Sequence, residues 1–140
     1  MYRCLKAGRE CTICPWVQEG KIAKSSSNVY RKEITSHLTC QSSNVVYVIS
    51  CTKCNLQYVG ETYRTLQDRF SEHKGYVRTK KLHMSTGAHF NTTGHSVDDM
   101  KIMAIEKIYS RGPQYRKELE KEFISNFNTY HRGLNKTPGG

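Results

Sequence analysis

Val45-Val46-Tyr47-Val48-Ile49-Ser50-Cys51-Thr52-Lys53-Cys54-Asn55-Leu56-Gln57-Tyr58-Val59-Gly60 decides the architecture of this 140-residue chain. The β-branched run from Val45 to Ile49 predicts a strand. Leu56 to Gly60 predicts its antiparallel partner. Between them stands Cys51-x2-Cys54, the spacing of a metal knuckle, at the tip of the hairpin. Each arm carries one tyrosine, Tyr47 or Tyr58.

Downstream, Thr65 can cap a helix with Asp68 at its third position. Leu66, Arg69, Phe70 and His73 then share one face, and that helix is expected to reach about Gly75 or beyond. Lys101 to Tyr109 reads as a central strand, with a short helix as the alternative. Gly112-Pro113 breaks the chain, and Pro113 can start a helix. There Tyr115, Leu119, Phe123 and Phe127 recur every fourth residue, with Arg116, Glu120 and Ile124 as the neighbouring stripe. Gly133-Leu134-Asn135 follows in a loop. Upstream, Met1 to Lys24 has no apolar periodicity and reads as an irregular, metal-organised lead-in. Ser25-Ser26-Ser27-Asn28 reads as a polar turn and Val29 to Ile34 as a short strand. The expected fold class is α+β: a small three-stranded antiparallel sheet flanked by helices, with a zinc-stabilised N-terminal lead-in over 1–43 and the main domain over 44–140.

The bulk properties narrow the function. A net charge of +10 and a pI near 9.4 favour a polyanionic partner, nucleic acid before an acidic membrane surface. No apolar run of about 18 residues exists to span a bilayer. Met1 to Gly20 lacks the apolar core of a secretory signal. The nearness of Cys4 to Met1 suggests a segment taken from a longer polypeptide. Hydrophobic content of 36% is low for a self-sufficient core, which favours metal crosslinks. Six cysteines could form a secreted disulfide scaffold, but two C-x2-C pairs without a signal favour zinc thiolates.

Taken in order, these elements resemble the GIY-YIG nuclease family. Val45-Val46-Tyr47 stands at the first signature strand, with Val45 in place of its glycine, and Tyr58-Val59-Gly60 at the second. Arg69, His73, Glu120 before Phe123-Ile124, and Asn135 stand at the family's other site positions. The resemblance implies a phosphodiester hydrolase with catalytic residues Tyr47, Tyr58, Arg69, His73, Glu120 and Asn135. It implies Mg²⁺ or Mn²⁺ on Glu120, Arg69 as phosphate clamp, and Tyr47 either as general base with a lowered pKa or as the group that orients the attacking water. Tyr58 and His73 would position water or phosphate, and Asn135 would brace Glu120 or a nearby loop. The cysteines and histidines further resemble the endonuclease domain of Penelope-like retroelements. That implies a nicking enzyme acting in the nucleus beside a reverse transcriptase domain, leaving a 3′ hydroxyl that primes copying.

Two zinc sites are expected. Cys51, Cys54, His89 and His95 form the first, with His83 as a rival ligand. Cys4, Cys11, Cys14 and Cys40 form the second, with His37 as a rival for Cys40. Both would be closed and structural. Arg64, Lys74, Arg78, Lys80 and Lys81, interleaved with Tyr63 and Tyr76, suit tracking of a DNA backbone. Glu118 and Glu122 flank Glu120 as competing acids, and Glu120 could instead pair with Arg116 at i, i+4. A zinc-stabilised nucleic-acid-binding module without catalysis is the alternative function.

Overall fold

The computed structural model describes residues 1–4, 11–109 and 112–139. In chain order these form β1 (Ile22–Lys24), β2 (Arg31–Glu33), β3 (Ser43–Cys51), β4 (Gln57–Thr65), α1 (Leu66–Arg78), α2 (Ser85–His89), β5 (Met100–Lys107) and α3 (Pro113–Phe127). Short 3₁₀ turns at Cys14–Trp16 and Val97–Asp99 complete the set.

The main sheet is antiparallel in the order β4-β3-β5, so the β-branched strand is central and takes hydrogen bonds on both sides, while β5, expected to be central, is an edge strand whose outer side is covered by the lead-in through the Val17–Ile102 bridge. That placement follows from its burial, with Val45, Val46, Tyr47, Val48 and Ile49 all enclosed. The hairpin tip closes on Asn55, whose φ of 63° lies in the left-handed region that asparagine tolerates. Its N–H bonds the Cys51 carbonyl at 2.9 Å, folding the knuckle back on itself. Both arms of the hairpin are longer than the expected runs, because polar residues of β4 continue to pair with β3 as far as Thr65.

In α1, Thr65 accepts from the Asp68 N–H at 3.1 Å, as the sequence predicts. The helix buries Leu66, Phe70, His73, Lys74 and Val77 and ends beyond Gly75, at Arg78. Pro113 opens α3, which buries Phe123, Ile124 and Phe127 while its first turns stand clear of the core. Tyr115 is accordingly exposed, although it continues the apolar stripe.

The lead-in is more ordered than its composition suggests. Ser25 to Asn28 forms the turn of a two-stranded hairpin, and β1 lies where an irregular segment was expected. Ile13, Val17, Ala23, Ile34 and Leu38 belong to the same core cluster as the main sheet. Helix α2 also had no sequence signal, since five residues are too few to show a helical period. Among the described residues no helix is long and apolar enough to cross a membrane.

Candidate active site and metal clusters

The site begins with strand register. Tyr47 pairs with Gly60 and Ile49 with Tyr58, so side-chain alternation sends both signature phenols to the α1 face of the sheet. The glycine has a steric reason: a Cβ on Gly60 would lie 2.4 Å from the Tyr47 hydroxyl oxygen. At the first signature position Val45 is buried in the core.

Helix α1 delivers Arg69 and His73 one turn apart onto these phenols. Arg69 Nε donates to the Tyr47 hydroxyl at 3.1 Å, and Nη1 donates to Glu72 Oε1 at 2.9 Å and to the Tyr76 hydroxyl at 3.2 Å. The Tyr47 hydroxyl and His73 Nε2 are 2.8 Å apart, and His73 Nδ1 is 2.8 Å from Thr86 Oγ1 on α2. The rings of Tyr58 and Tyr76 meet His73 edge-on at 5.5 and 5.6 Å.

On the other side of β4, α3 presents Lys117 and Glu120. A groove of about 400 Å³ runs between the two helices. Its lining includes Tyr58, Glu61, Arg69, Lys117, Glu120 and Asn135, together with Tyr63, Arg64 and Lys136. Asn135 braces β4 rather than Glu120. Its Oδ1 accepts from the Val59 N–H at 2.9 Å and from Thr129 Oγ1 at 2.6 Å, while Nδ2 donates to the Val59 carbonyl at 2.9 Å. The carboxamide thus acts as a one-residue strand on the open edge beside Tyr58.

Electrostatics correct one expectation. Burial raises the Tyr47 pKa well above its ordinary value, and the neighbouring Arg69 does not offset it. Tyr47 is also fully enclosed, so the phenol that meets the groove is Tyr58, itself raised by burial. Burial, with Arg69 nearby, holds His73 well below its usual range and therefore neutral. Burial raises the Glu120 pKa, with Lys117 opposing and Glu61 adding to the shift. Arg116 does not pair with Glu120. It donates from Nε to Glu61 Oε2 at 3.0 Å, and Lys117 reaches Glu61 Oε1 at 2.9 Å. Glu61 is thereby occupied by two cations, and the Glu120 carboxylate, which accepts from the Glu61 backbone N–H, keeps further oxygen lone pairs for a ligand in the groove. An oxygen donor in a wet groove fits a hard divalent cation that keeps most of its waters.

The basic residues separate. Arg78, Lys80 and Lys81 are exposed, and Arg64, in the groove lining, pairs with Glu72. Lys74 is a correction. It is buried, donates to the Thr12 carbonyl at 2.7 Å and stands 4.0 Å over the Trp16 ring, so it serves packing and faces no DNA surface. Sequence reasoning missed Glu61, Lys117, Lys136 and Thr86. Lys117 had a signal, being one turn before Glu120 on the same helix face. Thr86 had none.

The two sets of candidate metal ligands are each brought together. The ligand atoms of Cys4, Cys11, Cys14 and Cys40 lie within 4.8 Å of one another, as do those of Cys51, Cys54, His89 and His95. His37 stacks on Tyr2 instead, and His83 is exposed. In the four-cysteine cluster, burial pushes the Cys11 thiol up, but the Ile13 N–H and the neighbouring thiols outweigh it and draw the pKa down to about 7. In the cysteine–histidine cluster, His95 Nε2 is shielded from solvent with no hydrogen-bond partner, as a metal-binding nitrogen would be. The donor sets, four thiols and two thiols with two imidazoles, suit zinc.

A phenol on the sheet edge, a guanidinium from α1 and a carboxylate from α3 around one groove suit a phosphodiester-cleaving class of site. The chain belongs to the GIY-YIG family: residues 43–135 match the family described as GIY-YIG catalytic domain. It therefore carries a nuclease domain of the endonuclease kind, in a family that typically depends on a metal, and DNA is its implied substrate. Over 93 residues it is 28% identical to "Uncharacterized protein 019R" of Invertebrate iridescent virus 6, a stretch covering 65% of this chain and 32% of the viral protein. The chain thus spans about a third of that relative's length. No solved structure matches it.

Proposed function

We propose that this chain is a metal-dependent DNA endonuclease that nicks target DNA and leaves a 3′ hydroxyl for target-primed reverse transcription of a retroelement. It would work in the nucleus, beside a reverse transcriptase domain of the same polyprotein. The observation that carries the nuclease mechanism is the convergence of Tyr58, Arg69 and Glu120 on one groove. The two cysteine clusters, assembled in the combination the retroelement resemblance implies, support the finer assignment.

Glu120 would hold Mg²⁺ or Mn²⁺, which supplies Lewis-acid charge at the scissile phosphate and acidifies bound water. Arg69 clamps the phosphate. Nε is committed to Tyr47 and Nη1 to Glu72 and Tyr76, leaving Nη2 without a partner among the described residues. Tyr58 retains its proton near neutral pH and orients the attacking water or a phosphate oxygen by hydrogen bonding. Tyr47 and His73 stand behind Arg69 and fix its direction, and Asn135 fixes the Tyr58 strand. Lys117, Lys136 and Arg64 extend the positive path for the flanking backbone. Zinc in the two clusters would be structural.

Supercoiled plasmid incubated with the purified chain and Mg²⁺ or Mn²⁺ is expected to become nicked, with ends that a polymerase extends without phosphatase treatment. Salt-sensitive binding without nicking under any added metal would favour the non-catalytic module. Nicks that cannot be extended would remove the priming role while leaving the nuclease.

A further inference from the structure

We infer that Thr86 is a positioning residue of the nuclease site, acting by fixing the tautomer of His73. The hydroxyl is buried, at 1% exposure, 2.8 Å from His73 Nδ1. It completes a chain of four side chains: Arg69 Nε, the Tyr47 hydroxyl, His73 and Thr86.

The hydrogen bonds have a direction. Arg69 can only donate, so the Tyr47 oxygen accepts from it. The buried Tyr47 O–H then needs an acceptor, and His73 Nε2 is the one within reach. A neutral imidazole accepting at Nε2 carries its hydrogen on Nδ1, which donates to Thr86 Oγ1. Remove that oxygen and the Nδ1–H is buried without an acceptor. Moving the hydrogen to Nε2 would relieve that N–H only by leaving the Tyr47 O–H without its acceptor, so without Thr86 no single proton order is favoured. The bond that aims Arg69 weakens in consequence.

The seat of Thr86 is well defined. Asn91 Nδ2 ties the carbonyls of Val77 and Gly87 together at 2.9 and 2.7 Å, clamping α2 to α1. A Cβ on Gly87 would lie 2.3 Å from the Lys81 carbonyl oxygen, so the two segments meet backbone to backbone. The same helix carries Ser85 into the groove and ends at His89 in the metal cluster. One five-residue element therefore joins the cysteine–histidine cluster to the proton order of the site.

The activity arm rests on the nuclease reading, and the spectroscopic arm does not. Long-range ¹⁵N–¹H spectra of the full zinc-loaded chain at pH 7, with His73 assigned through His73→Gln, report which ring nitrogen is protonated. The parent and Thr86→Ser are expected to show Nδ1–H alone, and Thr86→Val is expected to lose that single pattern and to show a share of Nε2–H. Thr86→Val should lose about ten-fold in kcat at unchanged KM for DNA, the rate equivalent of one buried hydrogen bond, with Thr86→Ser restoring it. An Nε2–H pattern in the parent overturns the inference, even where Thr86→Val does not fold. So does a Thr86→Val protein with the parent's pattern and rate, or a Thr86→Ser protein as impaired as Thr86→Val. A parent that shows Nδ1–H but never nicks would sink the nuclease reading and leave the tautomer assignment standing.

Discussion

Gly60→Ala is the smallest substitution that should dismantle the site. The added methyl would lie 2.4 Å from the Tyr47 hydroxyl oxygen, 2.5 Å from Cζ and 2.9 Å from Cε2. Ordinary contact needs about 3.4 Å or more, so the ring must retreat by about 1 Å. The ring is enclosed by β3, β4 and α1, and its retreat breaks the bonds to Arg69 and His73 at 3.1 and 2.8 Å. Overpacking alone costs about 1–3 kcal/mol, and stranding buried polar partners adds about 1–3 kcal/mol. The sum, roughly 2–6 kcal/mol, is a large part of the stability of an ordinary domain. Urea unfolding of parent, Gly60→Ala, Tyr47→Phe and the double variant separates the two contributions. Tyr47→Phe removes the hydroxyl but keeps the ring carbon at the 2.5 Å contact. Gly60→Ala should therefore cost less in that background, but still measurably. A single variant with the parent's midpoint and nicking rate would refute the packing reasoning. So would a cycle with no coupling between the two positions.

Three further outcomes follow from the same geometry. Burial raises the Glu120 pKa, so the folded chain binds this proton more tightly than the unfolded chain and its ionised form opposes folding at neutral pH. Glu120→Gln should raise the melting temperature without added Mg²⁺, while nicking falls by roughly 10²–10³-fold. His73 is shifted the other way for a base: the unfolded chain takes up a proton below about 6.5 and the folded chain does not. Stability should fall with pH below that point by up to about 1.4 kcal/mol per unit, and His73→Gln should lack that component in pH-dependent denaturation. Lys117→Ala should lower the salt slope of DNA binding by about 1, whereas Lys74→Met should leave the slope unchanged and lower the unfolding midpoint.

The sheet and α1 were legible because their signals are local. A β-branched run, a knuckle, a capping threonine and a helical apolar face each announce one element without reference to the rest. The metal clusters were legible for a related reason, since cysteines and histidines in a small chain have few other uses. Long-range contacts were not legible. That Lys74 lies under Trp16 depends on how residues 12–16 fold over α1, which no spacing near Lys74 encodes. Nor could spacing predict that Tyr47 is enclosed while Tyr58 meets the groove. Both alternate to the same face, and the difference arises because β3 is central and β4 is an edge. The expected lowering of the Tyr47 pKa failed on magnitude: complete burial raises it by more than Arg69 lowers it.

Buried polarity explains why so small a chain needs its thiol clusters. Tyr47, Gln57, Thr62, His73 and Thr86 are all enclosed, and each forfeits hydration for hydrogen bonds of modest net value. A chain with 36% hydrophobic residues has little apolar surface to offset that cost. The clusters lie where the deficit would tell most. Cys40, just before β3, is joined to the lead-in, and the hairpin tip is joined to the segment that follows α2. A structural zinc contributes an apparent ~10–16 kcal/mol in small domains, comparable with the whole net stability of a domain, on the order of 5–15 kcal/mol. On that comparison, zinc in the two clusters would close the loops on either side of the polar chain from Arg69 to Thr86 and so hold its order.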